Sequence, residues 1–290
     1  MARSLPQYPS ILSPGLRPTI MPSPLPPFVD LHNHLVPGVD DGAASVAESL
    51  EALRSLYAEG VRILVATPHL LLPHLATDGA IGRTLDTQRR AFDRLAEAVA
   101  LESELPAIGL GHEIWAPDAA TMRRVVERTD IGLGGSSTML VEFGFELRGT
   151  HAEVVQAATA GGRGIVIAHP ERYHYPTGLR PLDVMHRWRE MGALLQVNAG
   201  SFTGHYRDHR PESAPLAWAM VAEGLVDIVG TDHHGPRRSG VSTLEAFTAL
   251  CARGEQALAE RAMVERPGAA LRTEAVEEPD PAVRSPGAGA

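Results

Sequence analysis

The sequence predicts an α/β fold in which parallel strands alternate with helices. Seven short apolar runs rich in β-branched residues recur along the chain, and longer segments with helix-like periodicity separate them. The runs are apolar throughout, as expected for parallel strands that are covered on both faces. Seven β/α units of this size favour a closed or nearly closed barrel, with a doubly wound open sheet as the alternative.

The predicted elements follow one another without a long interruption. The first intervening helix is predicted to begin at a capping box formed by Ser45 and Glu48. A second capping box is predicted at Thr150 and Glu153. Gly60 is the candidate C-cap of the first helix. The predicted strands are residues 28–32, 61–67, 107–112, 138–143, 164–168, 193–198 and 226–231.

The two ends of the chain differ in composition from this unit. Residues 1–27 contain eight prolines and no periodic apolar pattern, which predicts a disordered or extended leader. Residues 266–290 are rich in Pro, Ala, Gly and Glu, which predicts a disordered tail. The sequence therefore predicts one domain over residues 28–265.

Composition excludes several classes of function. The net charge of −9 argues against a broad nucleic-acid surface, which needs clustered cations. No apolar run reaches the roughly 18 residues of a membrane span, and no signal-peptide pattern begins the chain. The single cysteine, Cys251, excludes an intramolecular disulfide and favours a reducing, cytoplasmic location. A thiol phosphatase would need an arginine six residues after its catalytic cysteine. The residue six positions after Cys251 is Ala257, so this class is excluded. Dinucleotide-binding and Walker motifs are missing as well.

Metal-binding residue types follow the predicted strands. A histidine or carboxylate lies at the carboxyl end of six strands, and the sixth in order ends in Asn198. In a β/α barrel these ends converge on one mouth, where active sites form. Taken singly, each would be an ordinary surface histidine, polar strand end or turn. The candidate ligands are His32, His34, His69, Glu113, Glu142, His169, Asp232 and His234.

This set of donors predicts more than one metal ion. Imidazole and carboxylate together bind Mn²⁺, Fe²⁺ and Zn²⁺, whereas the absence of thiolate ligands disfavours a closed structural zinc site. Five histidines and three carboxylates are too many for one ion and suit two or three ions that share carboxylates. Clustered cations lower the pKa of a bound water and stabilise in-line displacement at phosphorus.

The strand-end motifs resemble the PHP superfamily, named for polymerase and histidinol phosphatase. The run at residues 30–42, D-L-H-N-H-L-V-P-G-V-D-D-G, resembles the opening of the bacterial capsular and exopolysaccharide type of protein-tyrosine phosphatase. The runs A-T-P-H at 66–69, G-H-E-I at 111–114 and H-P-E-R-Y at 169–173 are similar to further motifs of that type. The resemblance covers roughly residues 28–250.

The resemblance implies a distorted (β/α)7 TIM-like barrel with two to three divalent ions, most often Mn²⁺, with Zn²⁺ or Fe²⁺ as alternatives. One ion would be held by His32, His34, Glu113 and Asp232. Glu113 would bridge to a second ion shared with Glu142 and His169, and His69 and His234 would hold a third.

The resemblance also implies arginines that bind the substrate phosphate. Arg172 matches the family arginine after His-Pro-Glu, and either Arg237 or Arg238 would match a second one. Asn198 and Ser201 would contact the metal ligands without binding a metal themselves.

The implied activity is metal-dependent hydrolysis of phosphate monoesters. The substrate would be phosphotyrosine on the tail of a bacterial tyrosine kinase that controls polysaccharide synthesis. Two alternatives stay open at this point: a small-molecule phosphatase such as histidinol-phosphatase, and a non-catalytic metal-binding regulator. The sequence leaves the oligomeric state open, including a homo-oligomer.

Overall fold

Parallel strands form the centre of the molecule. The computed structural model describes residues 25–238 and 240–272. These residues form nine strands, and every pair of neighbouring strands is parallel. The strands are β1 (Phe28–Asp30), β2 (Val61–Ala66), β3 (His69–Leu70), β4 (Ala107–Leu110), β5 (Glu113–Trp115), β6 (Thr138–Glu142), β7 (Gly164–Ala168), β8 (Leu194–Asn198) and β9 (Ile228–Gly230).

Two of the nine strands, β3 and β5, were not predicted; they follow the predicted runs 61–67 and 107–112, which contain β2 and β4. Thr67 and Pro68 separate β2 from β3, and proline lacks the N–H that a continuous ladder needs. β4 and β5 are separated by Gly111 and His112. One sheet has the order β1-β2-β4 and the other the order β3-β5-β6-β7-β8-β9. The seven predicted strands are therefore confirmed in place and order.

Backbone hydrogen bonds join the end of the last strand to the end of the first. The Asp232 N–H donates to His32 O at 2.7 Å, and the His34 N–H donates to His233 O at 2.8 Å. A parallel bridge between Asn33 and His233 continues this contact. The strands thus follow one another around a barrel-like ring, as the fold prediction requires. The ring is distorted beside β4, because β5 and not β4 pairs with β6.

Helices cover the outside of the strands. Ser45 caps the first helix as predicted, accepting from the Glu48 N–H at 3.3 Å, whereas the Glu48 carboxylate accepts from the Ala44 N–H at 2.9 Å and not from Ser45. The helices are α1 (Val46–Ala58), α2 (Leu72–Leu75), α3 (Asp78–Val99), α4 (Ala119–Val126), α5 (His151–Ala160), α6 (Pro181–Glu190), α7 (Ala199–Thr203), α8 (Ser213–Ala222), α9 (Thr243–Ala252), α10 (Gln256–Glu260) and α11 (Arg266–Ala270). Short 3-10 turns lie at Leu133–Gly135, Pro170–Arg172 and Pro236–Arg238, and a π-helical turn lies at Arg261–Glu265. No helix in the described ranges has the length and hydropathy needed to cross a bilayer.

The larger of two buried hydrophobic clusters lies between the strands and this helical layer, and a smaller one joins the other faces of the strands to Ala270 of α11. Trp188 of α6 is fully buried and packs near Phe143, with ring centroids 5.4 Å apart. Phe28 of β1 packs against Phe247 of α9 at 5.1 Å. Burying a side chain of this size contributes about 1.5–3 kcal/mol, so these contacts fix the helices on the strands and keep the strand ends in register.

Two predictions about local structure are wrong. Thr150 occupies the predicted N-cap position of α5 but forms no capping hydrogen bond, because its hydroxyl donates to Pro117 O at 2.6 Å. The predicted tail from residue 266 begins as helix α11, in which Pro267 and Ala270 are buried. Proline is tolerated in the first turn of a helix, so its presence did not prevent this one. The remainder of the predicted tail, residues 273–290, and residues 1–24 of the predicted leader lie outside the described residues.

Candidate metal centre

The eight predicted ligands come together at the carboxyl ends of the strands. The loop after β1 carries two of them and the loop after β9 another two. The other four begin or end a strand, or directly follow one, because they lie at the points where the apolar runs stop. Residues about 200 positions apart in the sequence are thereby within contact distance.

Glu113, at the start of β5, lies at the centre of this cluster. One carboxylate oxygen, Oε1, is 3.2 Å from His32 Nε2 and 3.1 Å from His169 Nε2. The other, Oε2, is 3.0 Å from His69 Nδ1 and 3.4 Å from His34 Nε2. A fully buried carboxylate with imidazoles at both oxygens is placed to bridge two metal ions.

Asp232 provides a second carboxylate, and its two oxygens have different neighbours. Oδ1 is 3.5 Å from His32 Nε2, 3.3 Å from His34 Nε2 and 3.5 Å from His234 Nδ1. Oδ2 accepts hydrogen bonds from Arg172 at 2.5 Å and from Asn198 at 2.8 Å. One oxygen therefore faces the histidines while the other is fixed from outside the cluster.

Asp41 belongs to the cluster, although the sequence interpretation assigned it no role. Its Oδ1 is 3.6 Å from His69 Nε2 and 3.5 Å from His234 Nε2. Its neighbour Asp40 turns the other way and contacts His34 Nδ1 at 2.9 Å. The D-D-G run was the signal for Asp41, but two adjacent acids give no indication of which side chain faces the histidines.

Four overlapping sets of side chains could each hold an ion. In each set, the donor atoms lie within 4.8 Å of one another. Glu142 joins His69 and Glu113, whereas the resemblance implies that it shares an ion with His169. The sets are His34, Asp41, His69 and His234; His32, His34 and Asp232; His32, Glu113 and His169; and His69, Glu113 and Glu142.

Unpaired buried atoms support a metal at this cluster. His32 Nε2, His34 Nε2 and Glu113 Oε2 have no hydrogen-bond partner in the described part of the chain. An unsatisfied buried polar atom costs about 1–3 kcal/mol, so several in one place need an explanation. The other ring nitrogen of each histidine is hydrogen-bonded. His32 Nδ1 lies 2.8 Å from Gln196 Oε1, and His34 Nδ1 lies 2.9 Å from Asp40 Oδ2. Hydrogen bonds of this kind fix the ring orientation of histidines that bind metals, so this set of donors fits divalent ions.

The electrostatics also fit a cation site. Burial would lower the pKa of His32, but Glu113 and Asp232 outweigh it and raise that pKa to about 9. Burial and the nearby Glu113 carboxylate raise the pKa of Glu142 to about 8. Burial would raise the pKa of Asp232, yet His32 and the other cations around it hold it well below its usual range. The carboxylates of the cluster thus favour a bound positive charge, which divalent ions would supply.

Two residues of the cluster have strained backbones. His169 has φ of 34° and Asp232 has φ of 53°, in the left-handed region that non-glycine residues rarely adopt. Glu104 is the one other non-glycine residue with positive φ in the described ranges. Such conformations cost of order 1–3 kcal/mol and concentrate at functional sites. The strain turns both side chains toward the other ligands at the ends of β7 and β9.

The predicted arginines occupy three different positions. Arg172 lies in the turn after β7 and contacts Asp232. Arg238 contacts Asp41 Oδ2 at 2.5 Å, at the edge of the cluster. Arg237 points away from the cluster, and its Nε lies 3.3 Å from Glu48.

Other predicted or neighbouring polar residues lie close to the cluster in the sequence without joining the four sets. Ser201 donates to Glu171 Oε1 at 2.7 Å, and Glu171 also accepts from the Asn198 N–H at 2.9 Å. His112 is buried, and burial lowers its pKa to about 3. His233 accepts from the Gly235 N–H at 2.9 Å, which accords with its exclusion from the predicted ligands.

Comparison with known proteins places the chain among capsular polysaccharide proteins. Residues 28–272 match the family model described as "Capsular polysaccharide synthesis, CpsB/CapC". The tyrosine-protein phosphatase YwqE of Bacillus subtilis (strain 168) is 26% identical over 224 residues, covering 77% of this chain and 84% of that protein. The tyrosine-protein phosphatase CpsB of Streptococcus agalactiae is 23% identical over 228 residues, covering 77% and 90%.

A solved structure of similar fold comes from the same group of proteins. It is described as "Crystal structures of YwqE from Bacillus subtilis and CpsB from Streptococcus pneumoniae, unique metal-dependent tyrosine phosphatases". The TM-score is 0.70 at 24% identity, with 85% of this chain and 95% of that chain covered. At this identity, the likeness establishes the fold.

Proposed function

The chain belongs to the capsular polysaccharide synthesis family CpsB/CapC, and from that premise we propose that it is a metal-dependent phosphatase that hydrolyses phosphotyrosine in proteins. The single observation that carries the proposal is the environment of Glu113. Its two oxygens are faced by four imidazoles at 3.0–3.4 Å, and three of those ring nitrogens form no hydrogen bond with the described part of the chain. A stable core would not collect so many unpaired donors and acceptors without a ligand.

The proposed ligands are the eight predicted residues together with Asp41. They would hold two to three divalent ions, with Mn²⁺ as the expected metal. When bound, the ions supply Lewis-acid chemistry, which lowers the pKa of water and offsets negative charge on phosphoryl oxygens.

Arg172 is proposed to bind the substrate phosphate. Its Nε has no partner among the described residues, and its Nη1 reaches the edge of the cluster through Asp232. A guanidinium presents donors in a planar fork that matches two phosphoryl oxygens. Arg238, beside Asp41, is the proposed second phosphate contact, and the position of Arg237 at Glu48 gives it no such role.

The proposed leaving group, a phenolate, explains why no general acid is assigned. Tyrosine has a reference pKa of about 10, so its phenolate leaves more readily than an alkoxide and has less need of a dedicated general acid. The proposed protein substrate is a tyrosine kinase tail in the cytoplasm, in control of capsular or exopolysaccharide synthesis.

A substrate panel tests the proposal against its alternatives. Purified protein supplied with Mn²⁺ is compared on a phosphotyrosyl peptide and on histidinol phosphate. We expect a higher kcat/KM on the peptide. Preference for histidinol phosphate would support a small-molecule phosphatase instead. Bound metal without hydrolysis of either ester would support a non-catalytic regulator.

A further inference from the structure

An aromatic ring is exposed beside the candidate metal centre. Phe145 follows Glu142 by three residues and is 44% exposed. Its ring lies 6.4 Å from the ring of His169 and 5.3 Å from the guanidinium carbon of Arg172. The guanidinium carbon of Arg210 lies 4.6 Å from the same ring. An apolar ring with two cations nearby thus borders the site where the phosphate is proposed to bind.

The loop that carries Phe145 is joined to the segment after β7. The His174 N–H donates to Phe145 O at 2.7 Å, and the Leu147 N–H donates to His174 O at 3.1 Å. Glu146 and His174 form a parallel bridge between these hydrogen bonds. The backbone pairing fixes Phe145 beside the residues that follow His174.

His174, which pairs with this loop, also lines a groove together with residues that follow it in the chain. The groove has a volume of about 650 Å³ and mostly apolar walls. It contains Leu179, which is 41% exposed and, like Phe145, is one of four exposed large hydrophobic residues in the described ranges. We call it the flanking groove; it is lined by Tyr173, His174, Tyr175, Leu179, Pro181, Glu212, Pro215, Leu216 and Ala219.

We propose that Phe145 and the flanking groove form one surface that binds the protein segment around the substrate phosphotyrosine, an inference that rests on the proposed function. The phosphotyrosine ring packs against Phe145, since aromatic pairs favour centroid separations of about 4.5–7 Å. An apolar side chain near the phosphotyrosine in sequence enters the flanking groove. A concave, mostly apolar surface next to a candidate active site is where a substrate side chain is expected to bind.

Continuity with the candidate metal centre favours a substrate segment over other occupants. Phe145 contacts both Arg172, at the metal cluster, and Arg210, which in turn contacts His174 at the groove. An extended peptide with its phosphate at the metals would therefore pass the ring before reaching the groove.

Substitution of Phe145 tests the first half of the surface. We expect Phe145→Ala to lower kcat/KM for free phosphotyrosine about three- to tenfold, the range for losing an aromatic pair. The inhibition constant of inorganic phosphate should stay the same, because phosphate does not need the ring. Ile63→Ala, at a similarly exposed residue of β2, is the control and should change neither value.

Substitution in the flanking groove tests the second half. Two phosphotyrosyl peptides are compared, one with leucine and one with serine at the positions flanking phosphotyrosine. For Leu179→Glu and Leu216→Glu, the preference for the leucine peptide over free phosphotyrosine should fall at least fivefold. The preference for the serine peptide should change less than twofold.

The possible results distinguish failure of the proposed surface from failure of the proposed function. If the wild-type protein with Mn²⁺ does not hydrolyse free phosphotyrosine, the proposed function fails and the surface loses its substrate. If the wild type is active but Phe145→Ala keeps the wild-type kcat/KM and both groove variants keep the wild-type peptide preference, the surface alone is overturned. A dimer that Leu179→Glu dissociates, without a change in peptide preference, would assign the groove to a second copy of the chain.

Discussion

Arg172 makes contacts on three sides, and they suggest two tasks for one side chain. Its guanidinium donates to Asp232 Oδ2, and its guanidinium carbon lies 4.4 Å from the ring of Tyr206 and 5.3 Å from the ring of Phe145. The first contact orients a proposed metal ligand, and the buried Nε, which has no partner in the described part of the chain, is the proposed phosphate donor. The side chain is largely buried between aromatic rings, so its position is preorganised for binding.

Removal of Arg172 should therefore weaken catalysis more than removal of its neighbours. We expect Arg172→Ala to lower kcat/KM for a phosphotyrosyl peptide about 10²–10³-fold, the usual loss for one donor to developing charge. Arg237→Ala should cost less than threefold, and Arg238→Ala should fall between the two. Steady-state kinetics at saturating Mn²⁺ measures all three. Equal effects of Arg172→Ala and Arg237→Ala would refute the assignment.

Glu171 predicts a pH dependence of stability. Burial raises its pKa from 4.5 to about 7, so the folded state keeps a proton that the unfolded state has lost. The contribution of Glu171 to the free energy of unfolding is therefore full below about pH 4.5 and falls as pH rises to 7. The loss is on the order of 3 kcal/mol.

Glu171→Gln should remove this loss. Glutamine keeps an oxygen that can accept from the Asn198 N–H and Ser201 hydroxyl, as Glu171 Oε1 does. Urea denaturation of metal-free protein at pH 5 and pH 8 measures the effect. The variant should gain stability relative to the wild type as pH rises, and parallel pH curves would contradict the prediction.

For single residues, the sequence predicted which positions would lie at the site, but it did not predict the direction of each side chain. The positions of the eight ligands followed from where the apolar runs end. Asp41 was missed because Asp40 and Asp41 have the same chemistry, and only the loop conformation sends one to His34 and the other to His234. Arg237 and Arg238 could not be distinguished for the same reason.

At the scale of elements, Asp30 joins the first and last strands. Its Oδ1 accepts from the Thr231 N–H at 3.0 Å and from the His32 N–H at 3.3 Å. Its Oδ2 accepts from the Thr231 hydroxyl at 2.7 Å and from Asn33 Nδ2 at 3.2 Å. One buried carboxylate thus holds together the two loops that carry four of the proposed ligands.

Loss of that carboxylate should destabilise the whole domain. We expect Asp30→Ala to lower the free energy of unfolding by about 3 kcal/mol or more, because several buried donors lose their acceptor. Asp118→Ala is a matched control, since Asp118 accepts from the Thr121 N–H as an N-cap of α4. That change should cost about 1 kcal/mol. Equal losses in chemical denaturation would argue against Asp30 as the junction.

The strands were predictable because parallel, doubly covered strands leave continuous apolar runs. Helix α11 was not, because its composition resembles that of disordered segments and its burial depends on contacts with distant elements. The Thr150 capping box failed for a similar reason: Pro117, distant in sequence, supplies a competing acceptor. Local patterns do not contain these long-range contacts.

At the scale of the whole molecule, the barrel brings the ends of distant strands together and so builds the site. His32 and Asp232 are separated by most of the domain, yet the Asp232 N–H donates to His32 O. The cluster gathers negative charge and unpaired imidazole nitrogens that would be costly without a cation. Divalent ions bound only to the folded state should also stabilise it.

Metal analysis of the purified protein tests the central claim most directly. After reconstitution with Mn²⁺ and desalting, mass spectrometry of the wild-type protein should find two to three ions per chain. His32→Ala and Asp232→Ala should each lose at least one ion and nearly all phosphotyrosine phosphatase activity. A wild-type protein that retains no ion, or variants that keep the full metal content and activity, would contradict the account.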